Sequence, residues 1–157
     1  MRLHQLLSLG LVEGVSRLGR RELVEIFGHW PAFHDAEVVR FCLDRGPASI
    51  ESPTAEVDIH VFEMTKDVSP TGHYLLRDHT LVTLRFRGVT ELELMGFNGQ
   101  NALFNLGIDD VTEQQIEGVK YEVTLDSSYG VGATFFCRDA EVVQVRPWNP
   151  DTRSPAV

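Results

Sequence analysis

The chain has 157 residues and a formal charge of −9, from 14 basic and 23 acidic side chains. That balance argues against nucleic acid and anionic membrane as direct ligands, because both require a basic face. With 43% apolar and 24% charged residues, the composition is that of an ordinary globular domain able to bury a core without disulfides or metal.

The first stretch, Leu3 to Leu18, has leucines and valines at mixed helical spacings, weakened by Gly10 and Gly14. Arg2 precedes an apolar run from Leu6 to Val12, but Glu13 interrupts it and no signal-peptide cleavage site follows. No segment approaches the roughly 18 apolar residues of a membrane helix. The expectation is a cytoplasmic protein in which residues 1–19 form an extension, helical or poorly ordered, before a single α+β domain over residues 20–147. Arg20 to Phe27 is the better helix, with Leu23, Val24, Ile26 and Phe27 on one apolar side. Gly28 and Pro31 stop it.

Beyond that stop, Glu37 to Arg45 alternates, with Val39, Phe41 and Leu43 on one face and Val38, Arg40, Cys42 and Asp44 on the other. A second strand, Ala55 to Met64, sets Val57, Ile59 and Val61 against Asp58, His60, Phe62 and Met64. Thr65 to His73 reads as a mobile surface loop. The third strand, His79 to Arg87, turns Val82, Leu84 and Phe86 inward, and a fourth follows over Glu91 to Gly96. Phe97 to Asn101 is a turn rich in side-chain amides, and Ala102 to Ile108 is too short to type. Lys120 to Leu125 alternates again. Gly132 to Cys137 and Ala140 to Val145 predict a hairpin across Arg138-Asp139. The tail, residues 148–157, should fray. The pattern predicts an α+β fold: a mainly antiparallel β-sheet of six to seven strands with an N-terminal helix packed on it. An open sheet, a sandwich and a half-barrel all fit.

The chemistry-bearing residues gather near the helix stop. His34, Asp35 and Glu37, with His60 if the first two strands pair, could form a metal-dependent hydrolase site. Against this, Asp35 would cap the turn through backbone N–H groups and His34 would donate to a carbonyl or carboxylate. No paired-cysteine spacing, helical His/His spacing, nucleophile elbow or phosphate loop occurs, and Cys42 and Cys137 read as reduced thiols within strands. The expectation is a non-enzyme without cofactor or metal. Trp30 and Phe33 either staple the helix end to the sheet or form an exposed recognition patch beside Asp35 and Glu37. The amides of Asn98 and Asn101 either tie down a buried loop or face a ligand.

The run Phe27-Gly28-His29-Trp30-Pro31-Ala32-Phe33-His34-Asp35-Ala36-Glu37-Val38, followed by Leu43-Asp44-Arg45, resembles the opening motif of the immunity protein 50 family of bacterial polymorphic toxin systems. Further similarity runs through Ile59 to Met64, Leu81 to Phe86 and Gly96 to Asn101, covering about residues 21–146. The resemblance implies a non-catalytic protein that binds and neutralises a cognate toxin in the cell that makes it. The partner surface would then include Trp30, His34, Asp35, Glu37, Asn98 and Asn101. Were the toxin a nuclease, an acidic face would occupy its basic groove. Toxin identity, contact face and oligomeric state are left open by the sequence.

Overall fold

The computed structural model describes residues 17–151. Most of the expected N-terminal extension and the last six residues lie outside that range. One helix, α1 (Arg17–Phe27), precedes eight strands: β1 (Glu37–Asp44), β2 (Thr54–Val68), β3 (Tyr74–Arg87), β4 (Thr90–Met95), β5 (Ala102–Asp110), β6 (Tyr121–Tyr129), β7 (Gly132–Cys137) and β8 (Asp139–Pro147). All pair antiparallel in one sheet of order β4-β7-β6-β5-β1-β2-β3-β8. The mainly antiparallel fold holds, with eight strands rather than six or seven and a short helix.

α1 buries Leu23 and Phe27, one turn apart, and packs on β8. It ends where the glycine predicts. Gly28 has φ 78° and its N–H donates to the Val24 carbonyl at 2.8 Å.

The strand order shows that the sheet cannot lie flat. Arg138 alone separates β7 from β8, and Gly88-Val89 alone separate β3 from β4. Yet β4 and β7 stand at one end of the order and β3 and β8 at the other. The sheet therefore folds over at a corner where two strand pairs continue into each other. Across it, Arg87 faces Asp139, the Arg138 N–H donates to the Arg87 carbonyl at 2.8 Å, and Thr90 faces Phe136. Gly88 makes the bend possible: its φ is 67°, and a Cβ there would lie 3.0 Å from both Arg138 Cβ and the Ile50 carbonyl oxygen. The expected hairpin across Arg138-Asp139 is thus a corner, with β7 pairing β6 and β4 while β8 pairs β3.

Inside the fold, the inward residues of both halves meet over one core. Val57, Ile59, Val82, Leu84 and Phe86 come from one half, Leu103, Val123, Leu125 and Phe135 from the other. Phe86 and Phe135 meet edge to face at 5.0 Å between centroids. On the opposite side from the corner, a narrow seam joins the halves: Glu37 faces Ala102, and Val38 and Leu103 donate backbone bonds to Asn101 and Ala36 at 2.9 and 2.8 Å.

Two local readings change. β1 carries a bulge between Val38 and Arg40, so Val38 and Phe41 both turn inward while Val39 is exposed. Strict alternation had placed Val38 and Phe41 on opposite faces. The expected loop Thr65–His73 is strand up to Val68, and β3 begins at Tyr74 rather than His79, so β2 and β3 run on as a ribbon closed by Ser69–His73. Val68 faces Tyr74 at its tip, and Thr65 Oγ1 donates to the Leu75 carbonyl at 2.7 Å.

Candidate functional site

The turn from Gly28 to Glu37 joins α1 to the seam between the sheet halves. Phe33 is buried and its ring lies 5.6 Å from that of Trp30, which is half-buried against the core. Both aromatics therefore fasten the helix end to the sheet. The backbone is left-handed at two non-glycine positions, Phe33 (φ 57°) and Asp35 (φ 65°). Such residues cost about 1–3 kcal/mol each and persist where surrounding structure holds them; aspartate tolerates the conformation better than phenylalanine. What holds them here is the burial of Phe33 and the bond from the Asp35 N–H to the Leu103 carbonyl at 2.9 Å.

The Asp35 carboxylate does not cap the turn. It lies 3.1 Å from His34 Nδ1, and both side chains are about half exposed. His34 meets the Phe104 ring edge-on at 5.3 Å, and Phe104 is 59% exposed. His34, Asp35 and Phe104 thus form an open trio on the surface. Phe104 sits at the irregularity in β5, where Leu103 faces Ser127 and Asn105 faces Asp126. The sequence offered no sign of it, since that stretch was too short to type.

Glu37, Asn98 and Asn101 make a different structure. Asn101 is 3% exposed, and its side chain serves three segments. Oδ1 accepts from the Asn98 and Val131 N–H groups at 2.9 and 3.2 Å, while Nδ2 donates to the Asn98 and Val38 carbonyls at 2.8 and 3.4 Å. Its backbone N–H donates to Glu37 Oε1 at 2.6 Å. Asn98 Oδ1 accepts from the Gln100 N–H at 2.8 Å. The amide-rich turn is thereby bound to β1 on one side and to the β6–β7 turn on the other.

Of the residues weighed as metal ligands, His34 and Asp35 meet, but no third joins them among the described residues. Glu37 does face His60 in the β1–β2 register, but its carboxylate is engaged by Asn101, and His60 Nε2 bonds His79 Nδ1 at 2.9 Å. Among the described residues, no group of three His, Cys, Asp or Glu side chains is placed to hold a metal ion. Cys137 is buried beside Asp139, and burial first, then that carboxylate, pushes its thiol up to about 12. It is no nucleophile at neutral pH.

Charge is divided between the two halves of the sheet. The outer face of β1, β2, β3 and β8 carries a ladder of opposite charges. Arg85 lies 2.8 Å from Glu56 and 3.6 Å from Glu141, Arg87 is 2.5 Å from Glu141, and Arg40 is 3.6 Å from Asp58. Strands β4 to β7 contain Glu91, Glu93, Asp109, Asp110, Glu122 and Asp126, and neither lysine nor arginine. Asp110 is held by Thr112 at its own turn. Register places Asp126 beside Asn105, Glu122 beside Asp109, and Glu93 beside Thr134, which faces Thr124 and then Gly107. The result is a row of small residues, Thr134, Thr124 and Gly107, with acids beside it. The absence of any base over four strands was readable in the sequence, but only once the strands were known to be neighbours.

A family model described as Immunity protein 50 matches residues 19–148. No curated protein and no solved structure matches the chain.

Proposed function

Because the chain belongs to the immunity protein 50 family, we propose that it is a non-catalytic protein that binds and neutralises a cognate bacterial toxin in the cytoplasm of the cell that makes it. The observation that carries this reading further is the division of charge. Within strands β4 to β7 acids stand without a basic residue, and Lys120, just before β6, acts on Asp110, whereas on the other half arginines pair with the acids directly. A face of this kind attracts a basic partner and repels nucleic acid and anionic membrane, which is how an inhibitor of a nuclease would compete with the nuclease's own substrate.

In this reading the contact surface comprises His34, Asp35 and Phe104 together with Glu93, Asp109, Glu122 and Asp126. Phe104 supplies an aromatic anchor of the type enriched at binding hot spots, and the acids set approach and orientation. Trp30, Glu37, Asn98 and Asn101 belong to the same site from below: they hold the turns that present it.

The test is co-expression with toxins encoded beside the gene, with binding measured on the purified pair. Reversing charge at Glu122 and Asp126 to lysine should lower the association rate at least tenfold at low salt, with the effect shrinking as salt is raised. Stability should change by no more than about 0.5 kcal/mol, as is usual for surface substitutions. Failure to bind any neighbouring toxin refutes the function. Unchanged neutralisation by the reversed variant refutes the face.

A further inference from the structure

We propose that His60 and His79 form an acid-sensitive latch that fastens the end of β8 and the root of the β2–β3 ribbon to the sheet. The inference stands apart from the identity of any partner.

The pair occupies the place where the sheet stops and the ribbon begins. β1 reaches only to Glu37, opposite His60, and β8 only to Pro147, opposite Thr80. Beyond that row β2 and β3 have no neighbouring strand. His60 Nε2 and His79 Nδ1 are 2.9 Å apart, and His60 is 8% exposed. Around them stand Phe62, whose ring is 5.4 Å from that of His60, and Trp148, 6.2 Å from it. The Trp148 N–H donates to the His79 carbonyl at 3.0 Å, adding one more rung between the chain after β8 and β3.

One proton between two imidazoles makes a hydrogen bond, since one nitrogen donates and the other offers its lone pair. Protonating one ring leaves the bond, because the imidazolium still donates to the neutral ring; protonating both removes the last lone pair and sets two cations face to face. Such a state survives only beside a counterion, and the surroundings supply none at contact. Among the described residues, His34 is the one histidine with a carboxylate at ion-pairing distance. From β1, Glu37 is committed to the Asn101 N–H. On β3, Asp78 lies 3.6 Å from Arg77, which also engages Glu63 at 3.0 Å. Across a groove of about 450 Å³ beside His79, α1 presents Glu22 and Glu25, and Glu25 is 3.3 Å from Arg21. β8 contributes a cation, Arg146, whose guanidinium lies 6.0 Å from the Trp148 ring. His29, in the turn after α1, bonds the Trp30 carbonyl.

Burial, and then the charge on His79, pushes His60 down to about 4 from an ordinary 6.5. The folded value lies below the unfolded one, so the unfolded chain binds more protons in between. The latch contributes fully above pH 6.5, weakens as pH falls, and is lost as pH passes about 4.

Trp148 is one of two tryptophans, so a Trp30→Phe background makes it the sole fluorescent reporter. Between pH 6.5 and 4 its emission should change reversibly while far-UV circular dichroism stays constant. In His60→Gln, whose amide can still bond His79 without charging, the midpoint should move down by more than one pH unit or the change should vanish. The imidazole resonances of His60 in the unmutated protein should titrate well below the ordinary 6.5. An unmoved midpoint in His60→Gln overturns the latch. So does a Trp148 change that coincides with loss of secondary structure, or a His60 imidazole that titrates at the ordinary 6.5. Should His60→Gln not fold, His79→Gln and the imidazole titration decide the matter by the same criteria.

Discussion

Truncating Asn101 to alanine tests whether the amide-rich turn is a structural brace. The substitution deletes four side-chain hydrogen bonds, two to Asn98, one from Val131 and one to Val38. These losses are unequal. Val131 is fully buried, so its N–H would be left without a partner, at a cost of about 1–3 kcal/mol. Asn98 is exposed, and water can replace its two bonds, limiting them to a few tenths to about 1 kcal/mol each. The contact to Val38 at 3.4 Å is long and adds little. The total is about 3 kcal/mol, a shift of roughly 6–12 °C in Tm for a chain of this length. Urea denaturation should show a lower midpoint with an unchanged slope, since the loss is local and the surface exposed on unfolding is the same. Asn101→Asp should be no better than alanine at neutral pH. It keeps the acceptor but removes both donors, and it adds a carboxylate near the one that Asn101 already engages, Glu37. A loss below 1 kcal/mol in Asn101→Ala would refute the brace.

The same brace predicts a second effect. Gly130 has φ 81°, and a Cβ there would collide with the Gln100 carbonyl oxygen and approach Asn101 Oδ1 to 2.7 Å, so Gly130→Ala should cost more than about 2 kcal/mol and couple non-additively with Asn101→Ala in a double-mutant cycle. The two cysteines should differ in reactivity. Cys137, buried with its thiol pushed up to about 12, should resist a thiol reagent at pH 8 in the native protein, whereas half-buried Cys42 should be labelled first; equal labelling, counted by mass spectrometry, would contradict the packing around Cys137.

Local periodicity made much of this fold legible, and long-range pairing accounts for what it missed. The apolar faces of β2 and β3 followed from strict alternation at Val57, Ile59, Val61, Val82, Leu84 and Phe86. Gly28 and Pro31 marked the helix end because a left-handed residue and a missing N–H act within one turn. Bulges defeated the same logic: the irregularity at Val39 puts Val38 and Phe41 on one face, and nothing in residues 37–45 announces it. Strand ends were also hidden, since the outer parts of β2 and β3 are held by cross-strand pairs such as Met64 with Leu76 and Val68 with Tyr74 rather than marked by an apolar pattern. The corner at Arg138 looked like a hairpin because a hairpin and a sheet-switching bend share the same short polar link. Only the pairing of β8 with β3 separates them. For the candidate site, His34 and Asp35 stood out by residue type, while Phe104 did not. Its exposure depends on the irregularity of β5 against β6, far away in sequence.

The junction between α1 and β1 unites these observations. Two left-handed residues there, Phe33 and Asp35, are held by interactions from opposite directions: Phe33 by burial in the core, Asp35 by its N–H bond to Leu103. Burying a phenylalanine contributes about 1.5–3 kcal/mol, comparable to the cost of one such backbone conformation. The Asp35 N–H bond to Leu103 contributes about 0.5–1.5 kcal/mol toward the second conformation, so the arrangement adds little net stability, and what it changes is geometry. Had the chain passed from Pro31 into β1 in extended conformation, alternation would have governed where the side chains from Phe33 onward point. The left-handed steps instead bury Phe33 and leave His34 and Asp35 on the side of Phe104. Because Leu103, the anchor for Asp35, is the residue before Phe104, the backbone beneath the exposed trio is tied to the seam. In the reading proposed above, that rigidity favours binding: side chains already fixed in place lose little conformational entropy when a partner closes over them. Replacing Asp35 with asparagine keeps the tolerance for the left-handed conformation and removes the charge. It therefore separates the two roles, leaving the fold intact while weakening the attraction of a basic partner.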